Sequence, residues 1–89
     1  MKKMENTILS PLPLIDIYIA YRLTHKRKGL DMGLFEAAYS VGIKGCQLKH
    51  YEQAKSKISA NLLYKLAGLY KVNLDYFFKD FIDKNNRGL

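Results

Sequence analysis

Met32-Gly33-Leu34-Phe35-Glu36-Ala37-Ala38-Tyr39-Ser40-Val41-Gly42-Ile43-Lys44-Gly45-Cys46-Gln47-Leu48-Lys49-His50-Tyr51-Glu52-Gln53-Ala54 is the stretch whose reading decides the fold. Its first part predicts a short helix over about 33–41, in which the pair Ala37-Ala38 offers a small surface that another helix crosses closely. Gly42 ends that helix, because a residue without Cβ adopts positive φ at no steric cost. The second part predicts a helix over about 44–53. Leu48 and Tyr51, three apart, face inward, and the remaining positions Gly45, Cys46, Gln47, Lys49 and His50 are small or polar.

Upstream, Ile15, Ile19 and Leu23 recur every four residues and predict a helix from Leu14. It leaves at Lys28-Gly29, with cations in the last turn and Gly29 as the expected left-handed stop. Residues 1–13 read as an arm, since Ser10-Pro11-Leu12-Pro13 forbids a helix. Downstream of the polar loop Ala54-Lys55-Ser56-Lys57, Ser59 is the expected N-cap of a helix whose apolar face is Leu62, Leu63, Leu66, Leu69 and Tyr70. Val72-Asn73 breaks it. Asn73 is then expected to cap a fifth helix carrying Leu74, Tyr76, Phe77, Phe78, Phe81 and Ile82, before a flexible tail at 84–89. No stretch alternates with period two. The expected architecture is all-α, five short helices in one domain over 14–83 behind an extended N-terminal arm.

The chain has 89 residues, which supports one core and no more. A hydrophobic fraction of 48% excludes a disordered or collagen-like chain. The longest apolar run, Ile17-Tyr18-Ile19-Ala20-Tyr21, is far short of the ~18 residues of a membrane span. With a single cysteine and no signal-peptide pattern at its start, the sequence reads as cytoplasmic. Fifteen Lys and Arg against eight Asp and Glu give a formal charge of +7. A basic balance on a small domain suits a polyanionic partner, nucleic acid first and an anionic membrane surface second. The charge is unevenly spread: Arg22 to Lys57 holds eight basic residues against Asp31, Glu36 and Glu52, whereas Asn73 to Asp83 holds Lys79 against Asp75, Asp80 and Asp83.

Two helices joined by a glycine turn, the second with a polar outer face, follow the helix-turn-helix plan. From Ile19 to Phe78 the sequence resembles the lambda-repressor-like (Xre-type) helix-turn-helix family of bacterial and phage regulators. The resemblance is carried by His50-Tyr51-Glu52, by Lys57-Ile58-Ser59-Ala60-Asn61-Leu62-Leu63-Tyr64-Lys65-Leu66-Ala67, and by Val72-Asn73-Leu74-Asp75-Tyr76-Phe77-Phe78. There are departures. Gly33-Leu34 stands where the family opens its second helix with Ser/Thr-Gln, Lys44 where Ser or Thr caps the recognition helix, and Ala54 where a glycine follows Glu52-x. Gly45 and Cys46 replace long side chains.

The resemblance implies a sequence-specific transcriptional regulator, repressor-like and nucleoid-associated. It would bind a near-palindromic operator in double-stranded DNA as a homodimer, with residues 44–53 in the major groove. Gly45, Cys46, Gln47, Lys49 and His50 become the expected base-contacting set. A glutamine bonds adenine at two atoms at once, and a lysine or histidine donates to guanine. Lys26, Arg27, Lys44, Lys55 and Lys57, with the helix N-terminus at Ser59, are the expected phosphate contacts. Phe77, Phe78, Phe81 and Ile82 crowd more apolar surface into one segment than small neighbours cover, so they are the expected dimer interface. The other aromatics, Tyr51, Tyr64, Tyr70 and Tyr76, fall at helical spacing and are expected in core or dimer packing. Cys46 and His50 are four apart, but two ligands make no zinc site. No metal, cofactor or catalytic group is expected, and no membrane partner. Two other functions fit the same fold: an antitoxin- or adaptor-like module that binds a protein encoded nearby, and a non-specific nucleic-acid binder acting through charge alone.

Overall fold

The computed structural model describes residues 12–81. Among them four α-helices follow in order, α1 (Leu14–Gly29), α2 (Leu34–Ser40), α3 (Gly45–Glu52) and α4 (Ala60–Tyr70), and a 3-10 turn (Leu74–Phe77) closes the series. The four α-helices lie where periodicity and caps place them. The expected fifth helix is shorter. After the 3-10 turn, Phe78 leaves helical geometry at φ −143°, and helical backbone returns only at 79–81. Asn73 precedes the turn without a capping side-chain bond. Residues 1–11 and 82–89, which include most of the expected arm, Ile82 and the expected tail, lie outside the described residues.

The core is one cluster fed by every element. Ile19 and Leu23 of α1, Ala37 and Ala38 of α2, Leu48 of α3, Leu62, Leu63, Leu66, Ala67 and Tyr70 of α4, and Phe77 all enter it. Ala37 and Ala38 are buried to 0% and 1% exposure, so their small side chains do let neighbouring helices cross tightly. Ser59 caps α4 as expected, its hydroxyl oxygen accepting from the Leu62 N–H at 3.1 Å.

All four helices end in the same way, and glycine marks only one of the ends. Met32 N–H donates to Arg27 O and Asp31 N–H to Lys28 O, closing α1. Ile43 to Ala38 with Gly42 to Tyr39, Lys55 to His50 with Ala54 to Tyr51, and Val72 to Ala67 with Lys71 to Gly68 repeat this double bond at α2, α3 and α4. The left-handed residues are Asp31 (φ 56°), Gly42 (φ 80°), Ala54 (φ 57°) and Lys71 (φ 59°). Gly29, the expected stop of α1, is still helical; the turn comes two residues later, at Asp31. At Ala54 the left-handed φ accounts for the glycine that the resemblance implies at this position. A Cβ in left-handed geometry costs about 1 kcal/mol or more, and this chain accepts that strain.

Long-range polar bonds lock the helices together. Asp16, buried in the first turn of α1, receives both of its carboxylate bonds from Lys57 Nζ at 3.0 Å, across the loop before α4. Arg22 clamps the C-terminal segment: its Nε donates to Tyr76 O at 3.1 Å, its guanidinium lies 4.0 Å from the Tyr76 ring centroid, and it reaches Asp80 at 3.8 Å. Phe77 is therefore completely buried. Phe78 packs half-buried against the core, and the Phe81 ring lies 5.5 Å from that of Tyr18. This removes Phe77 from the expected dimer interface. Phe77 closes the core of its own chain, and Phe78 and Phe81 are partly covered in the same way. Tyr64, expected in core or dimer packing, is 68% exposed and so not in the core.

Tyr70 is buried, and its hydroxyl has no partner among the described residues. Burial, with the nearby Glu52 charge adding to it, holds its phenol well above the ordinary value near 10. A phenol pushed up in the folded state contributes stability below the unfolded value, and that contribution is lost as the pH rises above about 10. Tyr70→Phe removes an unpaired buried hydroxyl without changing shape. It is expected to raise the unfolding free energy by about 1 kcal/mol and to flatten the alkaline loss of stability, both read from urea titrations at neutral and alkaline pH.

Candidate nucleic-acid interface

The helix-turn-helix is built from α2 and α3, which make the most extensive contact between any two elements. The turn depends on Gly42, whose positive φ reverses the chain, and on Ile43, which packs against the core cluster. Leu48 anchors α3 with no exposed surface. Cys46, Gln47, Lys49, His50 and Gln53 consequently face solvent together. The expected base-contacting residues Cys46, Gln47, Lys49 and His50 are thus on one outward face, with Gln53 as a further member that the sequence reading passed over.

Gly45 is the exception. It is buried at the start of α3, and a Cβ placed on it would overlap the ring of Phe35. With no side chain and an aromatic ring over it, Gly45 presents nothing to a base, which corrects its assignment as a base contact. Gln47 is outward but engaged: its Oε1 accepts from the N–H of Lys44 itself at 3.0 Å, the N3 half of a capping box, while no side chain caps the first-turn N–H groups of α3. Its Nε2 remains as the outward donor. Glu36 does the same for α2, accepting from Gly33 N–H at 3.2 Å. The first turn of α2 thus lacks the Ser/Thr-Gln opening and carries a carboxylate, which repels phosphate where the helix dipole would attract it.

The cations separate into two groups. Arg27, expected on a phosphate, is buried in a forked ion pair, Nε to Glu52 Oε2 at 2.7 Å and Nη2 to Oε1 at 2.9 Å, with Nη1 on Met32 O at 2.9 Å. The Glu52 bond holds its proton more tightly than usual. Arg27 is a structural tie between α1, the entry to α2 and the end of α3, not a free phosphate contact. Lys57 is tied to Asp16, whose carboxylate offsets its charge, although the side chain is still 65% exposed. Lys26 is half-buried and lies 5.7 Å from the Tyr76 ring, on the side of α1 that meets the C-terminal segment. Lys44 and Lys55 are exposed beside α3 as expected, and Ser59 opens α4.

Lys28 was missed, though helical spacing could have found it. Thr24, Arg27 and Lys28, at i, i+3 and i+4, share one face and line a depression with Lys49 and Glu52 of α3, with Gln53 just after it, and with Leu34 and Phe35 of α2. Among the described residues, no helix is long and apolar enough to cross a membrane.

No family model matches the chain. Among curated proteins it is similar to an uncharacterized transcriptional regulator in the ATPase CF(0) region of Rhodospirillum rubrum, 32% identical over 66 residues that make up 74% of this chain and 61% of that one. It is also similar to the uncharacterized HTH-type transcriptional regulator y4aM of Sinorhizobium fredii, 26% identical over 78% of this chain and 48% of that protein. The matched part thus spans about half to three fifths of the length of these relatives. Among solved structures, the HTH_3 family transcriptional regulator from Vibrio cholerae has the same fold, with a TM-score of 0.68 and 24% identity over 75% of this chain and 38% of that one.

Proposed function

We propose that the chain, similar to HTH-type transcriptional regulators, is a sequence-specific DNA-binding regulator of the lambda-repressor-like (Xre-type) helix-turn-helix family. The observation that carries the reading is the outward polar face of α3, Cys46, Gln47, Lys49, His50 and Gln53, flanked by the exposed cations Lys28, Lys44 and Lys55. In this reading α3 enters the major groove, His50, Lys49 and the free Nε2 of Gln47 donate to base edges, and Lys28, Lys44 and Lys55 hold phosphates. A near-palindromic operator bound by a homodimer follows from the docking geometry of such helices, with half-sites about one turn apart. Repression by exclusion of polymerase is the accompanying regulatory reading.

Selection of bound duplexes from a random pool, followed by titration of two variants, tests this proposal. His50→Ala is expected to lower affinity for the selected site by about 1–3 kcal/mol and to leave random DNA nearly unchanged. Lys55→Ala is expected to weaken both and to reduce the salt slope by about one. Equal losses on both duplexes for His50→Ala would remove the base-reading role. A pool that converges on no sequence would remove specific recognition altogether.

A protein-binding role is the second reading, supported by Tyr39 and Tyr64, which are 86% and 68% exposed. They lie by shallow depressions that share Lys65. Capture of a defined protein by a chain that shifts no DNA would favour it.

A further inference from the structure

Phe35 is an aromatic residue where neither stability nor solubility calls for one. It is 73% exposed on the first turn of α2, yet its ring is not loose: it lies against the backbone of Gly45, so closely that any Cβ there would overlap it. The first turn of the recognition helix thus carries a benzyl ring, contributed from α2, in the place where its own first side chain would stand. Gly45 provides the clearance, and Cys46, the next residue, is short enough to leave the ring uncovered.

The surroundings define what such a ring meets. Phe35 and Leu34 are the apolar lining of the depression between α1, α2 and α3; of its charged lining Arg27 and Glu52 neutralise each other, which leaves Lys28 and Lys49. Apolar surface beside two cations suits a ligand that is itself apolar at one point and has anionic or hydrogen-bond-accepting groups next to it. Of the groups displayed in the major groove, the 5-methyl of thymine is the apolar one, and the phosphates run along either side of it. A phenylalanine has no hydrogen-bonding group, so it cannot discriminate by donor and acceptor pattern. It reads a methyl group by contact.

We propose that Phe35, seated on Gly45, is a specificity-determining residue that packs against the 5-methyl group of a thymine in each half-site. Lys28 holds the flanking backbone, while Lys49 keeps to the neighbouring base edge. This rests on the DNA-binding reading above, and it assigns to α2 a part of the sequence discrimination that the recognition helix has lost through Gly45. The consequence is a preference for thymine that no hydrogen bond explains.

Replacing thymine by uracil in the selected duplex deletes that methyl group and nothing else, so it isolates the contact. Each thymine of the site is exchanged in turn, and affinity is measured for the wild type, Phe35→Ala and Gly45→Ala. The wild type is expected to lose about fourfold at one thymine per half-site, the fold-change that burying a single methyl group gives. Phe35→Ala is expected to bind the unmodified site more weakly and to be indifferent to uracil at that position. Gly45→Ala retains the phenylalanine but pushes its ring aside, and is expected to lose the same uracil sensitivity while far-UV circular dichroism stays unchanged. An undiminished uracil penalty in Phe35→Ala would overturn the assignment. So would a wild type that binds a selected site yet is indifferent to uracil at every thymine. Failure of the random pool to yield any site would instead overturn the DNA-binding reading, and the methyl contact with it.

Discussion

Arg27→Ala is expected to lower the unfolding free energy by about 3–5 kcal/mol, a large part of what a domain of this size possesses. The guanidinium and the Glu52 carboxylate have side chains only 11% and 6% exposed, joined by two parallel bonds. Removing the cation leaves Glu52 as an uncompensated charge in the interior and also frees the Met32 carbonyl, which Arg27 holds at 2.9 Å. Because three segments meet at this residue, the loss is expected as a lower urea midpoint of a single cooperative transition, not as fraying of one helix. The double variant Arg27→Met with Glu52→Leu removes both charges and keeps most of the volume, so it is expected to recover most of the loss. Arg27→Lys keeps a charge but not the fork, and falls between. If Arg27 instead held a phosphate, Arg27→Ala would leave the urea midpoint unchanged and flatten the salt dependence of DNA binding.

Phe77→Ala should be comparably damaging, by about 3–5 kcal/mol. Phe77 has no exposed surface, stands edge-on to Tyr76 at 5.3 Å, and joins the C-terminal segment to the core. A cavity there cannot be filled by collapse, because Arg22 pins the adjoining backbone through Tyr76 O. The measurement is again urea unfolding, paired with sedimentation. Phe81→Glu provides the contrast: its ring is half-buried at the edge against Tyr18. If the proposed homodimer uses this edge, Phe81→Glu yields a folded monomer whose operator affinity falls steeply, since the second half-site is no longer linked. A folded Phe77→Ala with only its self-association lost would restore Phe77 to the interface and contradict its place in the core.

The helices were legible because their signals are local. Ile15, Ile19 and Leu23 repeat at helical spacing, Ser59 precedes an apolar run, and Gly42 stands where positive φ is needed; each is read within a turn or two of chain. The same locality explains the misses. Asp31, Ala54 and Lys71 terminate helices in left-handed geometry without being glycine, so nothing in their neighbourhood announces it. The segment from Leu74 has the composition of a helix, yet Arg22, which bonds Tyr76 54 positions away, holds its backbone in a 3-10 turn.

What the sequence by itself determined is the order of helices, the glycine turn between α2 and α3, and the polar face that α3 turns outward, since periodicity fixes which side of a helix is apolar. What only the tertiary structure decided is the work of individual side chains. Arg27 and Lys57 look like free cations until Glu52 and Asp16, 25 and 41 positions away, are brought against them. Gly45 looks like a vacant contact until the ring of Phe35 is seen to lie on it. Charge and size are properties of a residue, but whether a charge is neutralised or a space is filled depends on partners that only folding brings together.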